Sequence, residues 1–125
     1  MAVDTEAAMA ALFALTNPLT QFKTRSRRLQ FVEDMAPETL PAVFQNQVSR
    51  TDNFALNTIY AADIDVEWYV YAYQANDLEP STPILNPLVD AALNALPPDG
   101  TKSTLAGGGT ATVFRAGPAR FFEGL

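Results

Sequence analysis

The chain has 125 residues, 48% hydrophobic and 18% charged, with a mean hydropathy near zero and a formal charge of −6. That is enough chain for one core, so residues 1–125 are expected to form a single folded domain rather than a disordered segment. The acidic balance argues against gripping nucleic acid, which takes clustered Lys and Arg, and the absence of Cys and His removes thiol nucleophiles, disulfides, cysteine-based zinc sites and the commonest general base.

An acidic wall can still surround DNA without binding it, because it repels the polyanion. No run approaches the ~20 apolar residues of a membrane span. The N-terminal stretch carries Asp4 and Glu6 instead of a basic leader, so the expectation is a mature, intracellular chain.

Asp4 to Leu15 reads as a short helix, capped by Asp4, with Met9, Leu12 and Phe13 on one apolar face and Asn17-Pro18 ending it. Phe22 to Phe31, FKTRSRRLQF, holds Lys23, Arg25, Arg27 and Arg28, half of the eight basic residues. It suits an edge strand or extended arm, whose charges either discourage stray pairing or meet an acidic partner. Pro37 and Pro41 mark a loop, and Ala42 to Val48 reads as a strand. It has Ala42, Phe44 and Val48 on one side, and Val43, Gln45 and Gln47 on the other.

A polar turn at Ser49 to Asn53 is expected to lead into the most patterned stretch, Phe54 to Tyr73. Its even positions are almost all apolar. Its odd positions from 63 on read Asp63, Asp65, Glu67, Tyr69, Tyr71, Tyr73, so one strand face is core and the other passes from carboxylate to phenol. Such a strand would outrun a domain of this size, and it is expected to bend, break near Ala61-Ala62, or project beyond the body.

Thr82-Pro83 and Asn86-Pro87 are both good helix starts. The following helix should run to Leu96 with Leu85, Leu88, Val89, Ala92, Leu93 and Leu96 as its buried stripe. Pro97-Pro98 stops it. Two short strands are expected near the end, Thr110 to Arg115 and Ala119 to Phe122. Gly107-Gly108-Gly109 lacks the Lys-Ser/Thr of a phosphate-cradling loop and reads as a turn. Asp63, Asp65 and Glu67 have the spacing of hard-cation ligands but no carbonyl-rich loop beside them, so they read as a solvated or interface face. No catalytic set is apparent, and no cofactor is implied.

In chain order the landmarks are FKTRSRR at Phe22–Arg28, LPAVF at Leu40–Phe44, the aromatic strand, STPILNPLVDAALNALPPD at Ser81–Asp99 and TLAGG at Thr104–Gly108. This order resembles the tail-terminator (minor tail protein U-like) proteins of tailed bacteriophages, with Ala106 standing where that group usually has its first glycine. The resemblance implies an α+β fold, a twisted antiparallel sheet packed by two helices. It also implies a homohexameric ring that caps the tail tube and joins it to the head-side connector, assembled in the host cytoplasm into the virion. DNA would pass through the lumen without sequence-specific contact. Beside that, the residues themselves supply a ring mechanism. Arg25, Arg27 and Arg28 complement Asp63, Asp65 and Glu67 across a head-to-tail contact, with Tyr69, Tyr71 and Tyr73 as anchors. Two other readings stay open: a head-completion stopper of the phage neck, and a small ligand- or metal-binding domain.

Overall fold

The computed structural model describes residues 5–31, 34–76, 78–80, 82–96, 102–104, 111–113, 117 and 119–121. In chain order its elements are α1 (Thr5–Ala14), β1 (Thr24–Ser26), a 3-10 turn at Pro37–Thr39, β2 (Ala42–Ala55), β3 (Thr58–Tyr71), α2 (Thr82–Ala95), β4 (Lys102–Thr104) and β5 (Ala111–Val113). The sheet order is β1-β2-β3, and β4 pairs separately with β5. The class is α+β, but the main sheet is mixed and not antiparallel: β1 runs parallel to β2, and β2 antiparallel to β3. A parallel pair needs a crossover longer than a hairpin; residues between Ser26 and Ala42 provide it.

β2 is the central strand, and its first residues explain the core. Ala42, Val43, Phe44 and Gln45 are all buried, because both sheet faces are covered at this end. On one face Val43 joins Leu19, Phe22 and Leu88, with Trp68, Val70, Ala72, Ile84, Ala91 and Ala95 packed around them. On the other, Ala42 and Phe44 join Leu40, with Met35, Tyr69 and Tyr71 alongside. The two sides expected for this strand, Ala42 with Phe44 and Val43 with Gln45, are thus both covered here, which an alternating pattern by itself does not signal.

α1 begins at Thr5, and the capping residue expected at Asp4 lies outside the described residues. α2 starts at Thr82 and carries Pro87 within it, so Asn86-Pro87 is not the start. Its core face is Ile84, Leu88, Ala91 and Ala95 with Ala92 buried, whereas Leu93 is exposed. Of the expected stripe, Leu88 and Ala92 are buried and Leu85, Val89 and Leu96 half-buried. Leu93 is the exception, and Ile84, Ala91 and Ala95 join the core face instead, because a run this rich in apolar residues admits two overlapping helical stripes.

β5 falls within the expected Thr110–Arg115, but its partner is β4 and not Ala119–Phe122. Ala119 to Phe121 are not strand. Gly107–Gly109 lie outside the described residues, as does the geometry of their turn.

The largest correction concerns the turn between β2 and β3. Ser49 to Asn53 do not form it; they continue β2, and the chain reverses at Leu56-Asn57, where φ is 52° and 65°. Two consecutive positive φ values define the hairpin turn whose twist matches the flanking strands. Asn tolerates that backbone, whereas Leu does not. The expected single strand Phe54–Tyr73 is therefore split: Phe54 and Ala55 end β2, and β3 has 14 residues. Replacing Leu56 with Gly removes the steric conflict of its Cβ and is expected to raise stability by about 1 kcal/mol, after the entropic cost of Gly in the unfolded chain. A thermal melt reads this out as an upward shift.

Candidate functional site

β1 pairs with β2 only from Ala42 to Phe44. Beyond that point β2 and β3 continue as a two-stranded ribbon with no third strand among the described residues. The register skips Val48 on β2 and Tyr60 on β3, two bulges that bend and twist a ribbon of this kind. Asn46–Phe54, Leu56, Asn57 and Ala62–Tyr73 include no buried residue. The hairpin therefore projects past its own core, the third of the three outcomes expected for so long a strand.

Paired residues in a sheet share a face, so the register sorts the ribbon. One face carries Asp63, Asp65 and Glu67 from β3 with Thr51, Ser49 and Asn46 opposite them. All three acids are exposed, and Ser49 Oγ donates to Asp65 Oδ2 at 2.8 Å. The other face carries Ala62, Ile64 and Val66, half-buried, opposite Asp52, Arg50 and Gln47. Arg50 Nε donates to Asp52 Oδ1 at 2.6 Å along the rim of this face. The ribbon is amphipathic: the three acids of β3 lie on one face and its apolar residues on the other, where Asp52 is paired with Arg50. Among the described residues no group of three or more His, Cys, Asp or Glu side chains is gathered as a metal ion would require.

The acid-to-phenol change along β3 marks where the body begins. Tyr69 and Tyr71 sit on the same face as the acids but pack on Leu40, Ala42 and Phe44 of their own chain. The Phe44 and Tyr71 rings are 5.4 Å apart, and Tyr71 Oη donates to the Gln30 carbonyl at 2.9 Å. Tyr69 donates to Glu67 across the boundary, and that hydrogen bond holds the phenol's pKa above its ordinary value. Because the folded value is the higher one, the stability this bond adds is present below the ordinary tyrosine range and lost as pH rises through the folded value. Tyr73 is exposed.

The Arg-rich segment divides in the same way. Arg25 Nη1 donates to Asn17 Oδ1 at 2.7 Å and more weakly to Thr16 Oγ1 at 3.4 Å, tying β1 to the turn after α1. Arg27 forms an ion pair with Glu6 on α1, a contact that raises the guanidinium's already high pKa. Both partners are substantially solvated, so replacing Arg27 with Ala is expected to change stability by no more than about 1 kcal/mol. A shift in the urea midpoint well beyond that would show the pair to be structural. Arg28 is exposed, and its guanidinium has no partner among the described residues. The structure thus brings Arg25 to the turn after α1, Arg27 to α1, Tyr69 and Tyr71 to the core, and leaves Arg28, Tyr73 and the three acids facing outward.

Two features were not singled out by the sequence pattern. Gln45, 2% exposed, donates through Nε2 to the Met9 carbonyl at 2.9 Å and accepts from Trp68 Nε1 at 3.0 Å. It therefore links α1, β2 and β3. At the hairpin end, Phe54 is 63% exposed and Leu56 99% exposed. The Leu56-Asn57 pair between two alternating runs was the available signal, since Asn is enriched in the left-handed region.

The site is therefore a surface: an acidic and apolar hairpin carried by a small α+β body. Comparison of the chain with protein-family models, with curated proteins and with solved structures gives no match.

Proposed function

We propose that this protein is a structural ring subunit of a tailed-bacteriophage virion, a tail terminator that caps the tail tube and joins it to the head-side connector. The observation that carries this reading is the projecting hairpin. A two-stranded ribbon is marginal in water without a third strand or a packed layer, and this one presents half-buried Ile64 and Val66 with exposed Phe54 and Leu56 at its end. A surface of that kind is expected to be covered by another protein. The landmark order from Phe22 to Gly108 supports the choice of a phage tail-terminator ring among such assemblies.

In the ring, contacts are head-to-tail, so each copy presents two different surfaces and the cycle closes when the rotation does. Six copies is the number the resemblance implies. Asp63, Asp65 and Glu67 lie on one face of the ribbon and supply either a charged seam or an acidic lumen that DNA slides past without adhering. The activity is mechanical: the ring fixes the tube's end and provides a landing surface for the connector. Solution mass and negative-stain imaging, alone and with tail-tube subunits, test this. Rings on tube ends are expected. A strict monomer under both conditions would overturn it.

A further inference from the structure

The hairpin tip has a composition that its own folding does not explain. A turn with two left-handed residues is best made by Asn-Gly or Asp-Gly, yet the first position is Leu56, fully exposed at φ 52°. Phe54, two residues before it, is also largely exposed. Backbone strain combined with exposed apolar groups at the end of a projecting element is the pattern of a docking tip. Below the tip the ribbon bears Asp63, Asp65 and Glu67, and the complementary surface is on the same chain. Arg28, exposed and without a guanidinium partner among the described residues, is followed by Leu29, 37% exposed, and Phe31, 69% exposed.

A chain cannot satisfy this pair of surfaces by itself. Tyr71 bonds Gln30 and pairs with Ala42, which places the Arg28–Phe31 segment at the base of the hairpin. The tip lies at the far end of β2, roughly 40 Å away at ~3.3 Å per residue. The occupant is therefore a second copy.

We infer that the hairpin tip of one copy docks on the Arg28–Phe31 segment of the next, Phe54 and Leu56 against Leu29 and Phe31, with Asp63 and Asp65 steered toward Arg28. The contact is heterologous, as a ring requires, and the inference rests on the ring reading above. It assigns the apolar contact to the tip and the charge contact to the ribbon's acidic face, so the hydrophobic pair sets the lifetime and the charges set the approach. A zwitterionic or anionic membrane is the other apolar surface such a tip could meet, and the acids beside it disfavour the anionic kind.

The absence of cysteine makes the test direct. Chains carrying both Leu56→Cys and Phe31→Cys are oxidised and run on a denaturing gel without reductant, beside an equal mixture of the two single variants. The expected result is a ladder for the double variant and a cross-linked dimer alone, from the tip-to-segment pair, for the mixture. Leu56→Gly, which relieves the turn, should stay folded by Trp68 fluorescence while its association weakens at least about tenfold in solution mass measurements. If the wild-type chain assembles, but the double variant gives no ladder and Leu56→Gly assembles normally, the docking is wrong and the ring stands. If the wild-type chain stays monomeric at every concentration, ring and docking fall together. Co-sedimentation of the wild-type chain with phosphatidylcholine vesicles, lost in Leu56→Gly, would also overturn the docking.

Discussion

Replacing Phe44 with Ala is expected to destabilise the protein by about 3–5 kcal/mol, the usual cost of emptying a large aromatic site in a core. Phe44 has no exposed surface, and its ring meets Tyr71 and packs with Leu40 and Ala42. It sits on the central strand of the main sheet, within the short parallel register with β1. Since a domain's whole stability is about 5–15 kcal/mol, the variant should unfold at much lower urea or fail to accumulate folded chain. Phe44→Leu should lose far less, because it keeps most of the volume. Equal, small losses in both variants would mean that the cluster under Tyr69 and Tyr71 is not a second core but a loosely covered face.

The second large effect is expected at Gln45. Its amide joins the Met9 carbonyl on α1 to the Trp68 indole on β3, and it is buried. Gln45→Leu keeps the bulk but leaves an indole N–H and a carbonyl short of a partner, at about 1–3 kcal/mol for the pair after partial resolvation of the half-exposed Trp68. Gln45→Glu is the sharper probe. The ionised carboxylate would be buried against the Met9 carbonyl with nothing to donate, whereas its protonated form can donate to Met9 and still accept from Trp68. Burial raises the folded pKa of that Glu above its unfolded value, so the variant's stability is greatest below the ordinary carboxylate range and falls as pH rises through the folded value. Urea unfolding followed by Trp68, the chain's single tryptophan, reads this directly. A Gln45→Glu variant with the wild-type pH profile would show that this bridge does not hold α1 to the sheet.

Much of the secondary structure was legible in the sequence because it rests on local chemistry. The alternation from Asp63 to Trp68 gave a strand with acids on one face, and the exposure pattern follows it residue by residue. The helices were legible from their apolar spacing and their proline boundaries. The β2–β3 turn was not. Ser49 to Asn53 have turn-like composition, but they lie on a solvated ribbon where polar residues are tolerated in a strand, and the reversal occurs at a Leu-Asn pair that composition alone would pass over. The second core was missed for a related reason. Tyrosines beyond three acids look like a continuing outer face, and only the cover supplied by Gln30, Met35 and Leu40 makes that end an interior.

The Arg-rich segment makes the same point for the candidate surface. Its four basic residues look equivalent in sequence, yet β1 places Arg25 against Asn17 and Arg27 against Glu6, and Arg28 faces outward. Arg28 therefore has a different expected role from its neighbours, and so does Tyr73 from Tyr69 and Tyr71.

By itself the sequence determined the α+β class, the amphipathic strand of acids and apolar residues, both helices, and the lack of His and Cys chemistry. These follow from residue type and periodicity, which act over a few residues. The tertiary structure decided where the hairpin turns, that β1 joins in parallel, that the tyrosine end of β3 is core, and that the acidic end is a projecting ribbon. Those depend on which distant segments cover which face, and cover is a property of the packed chain.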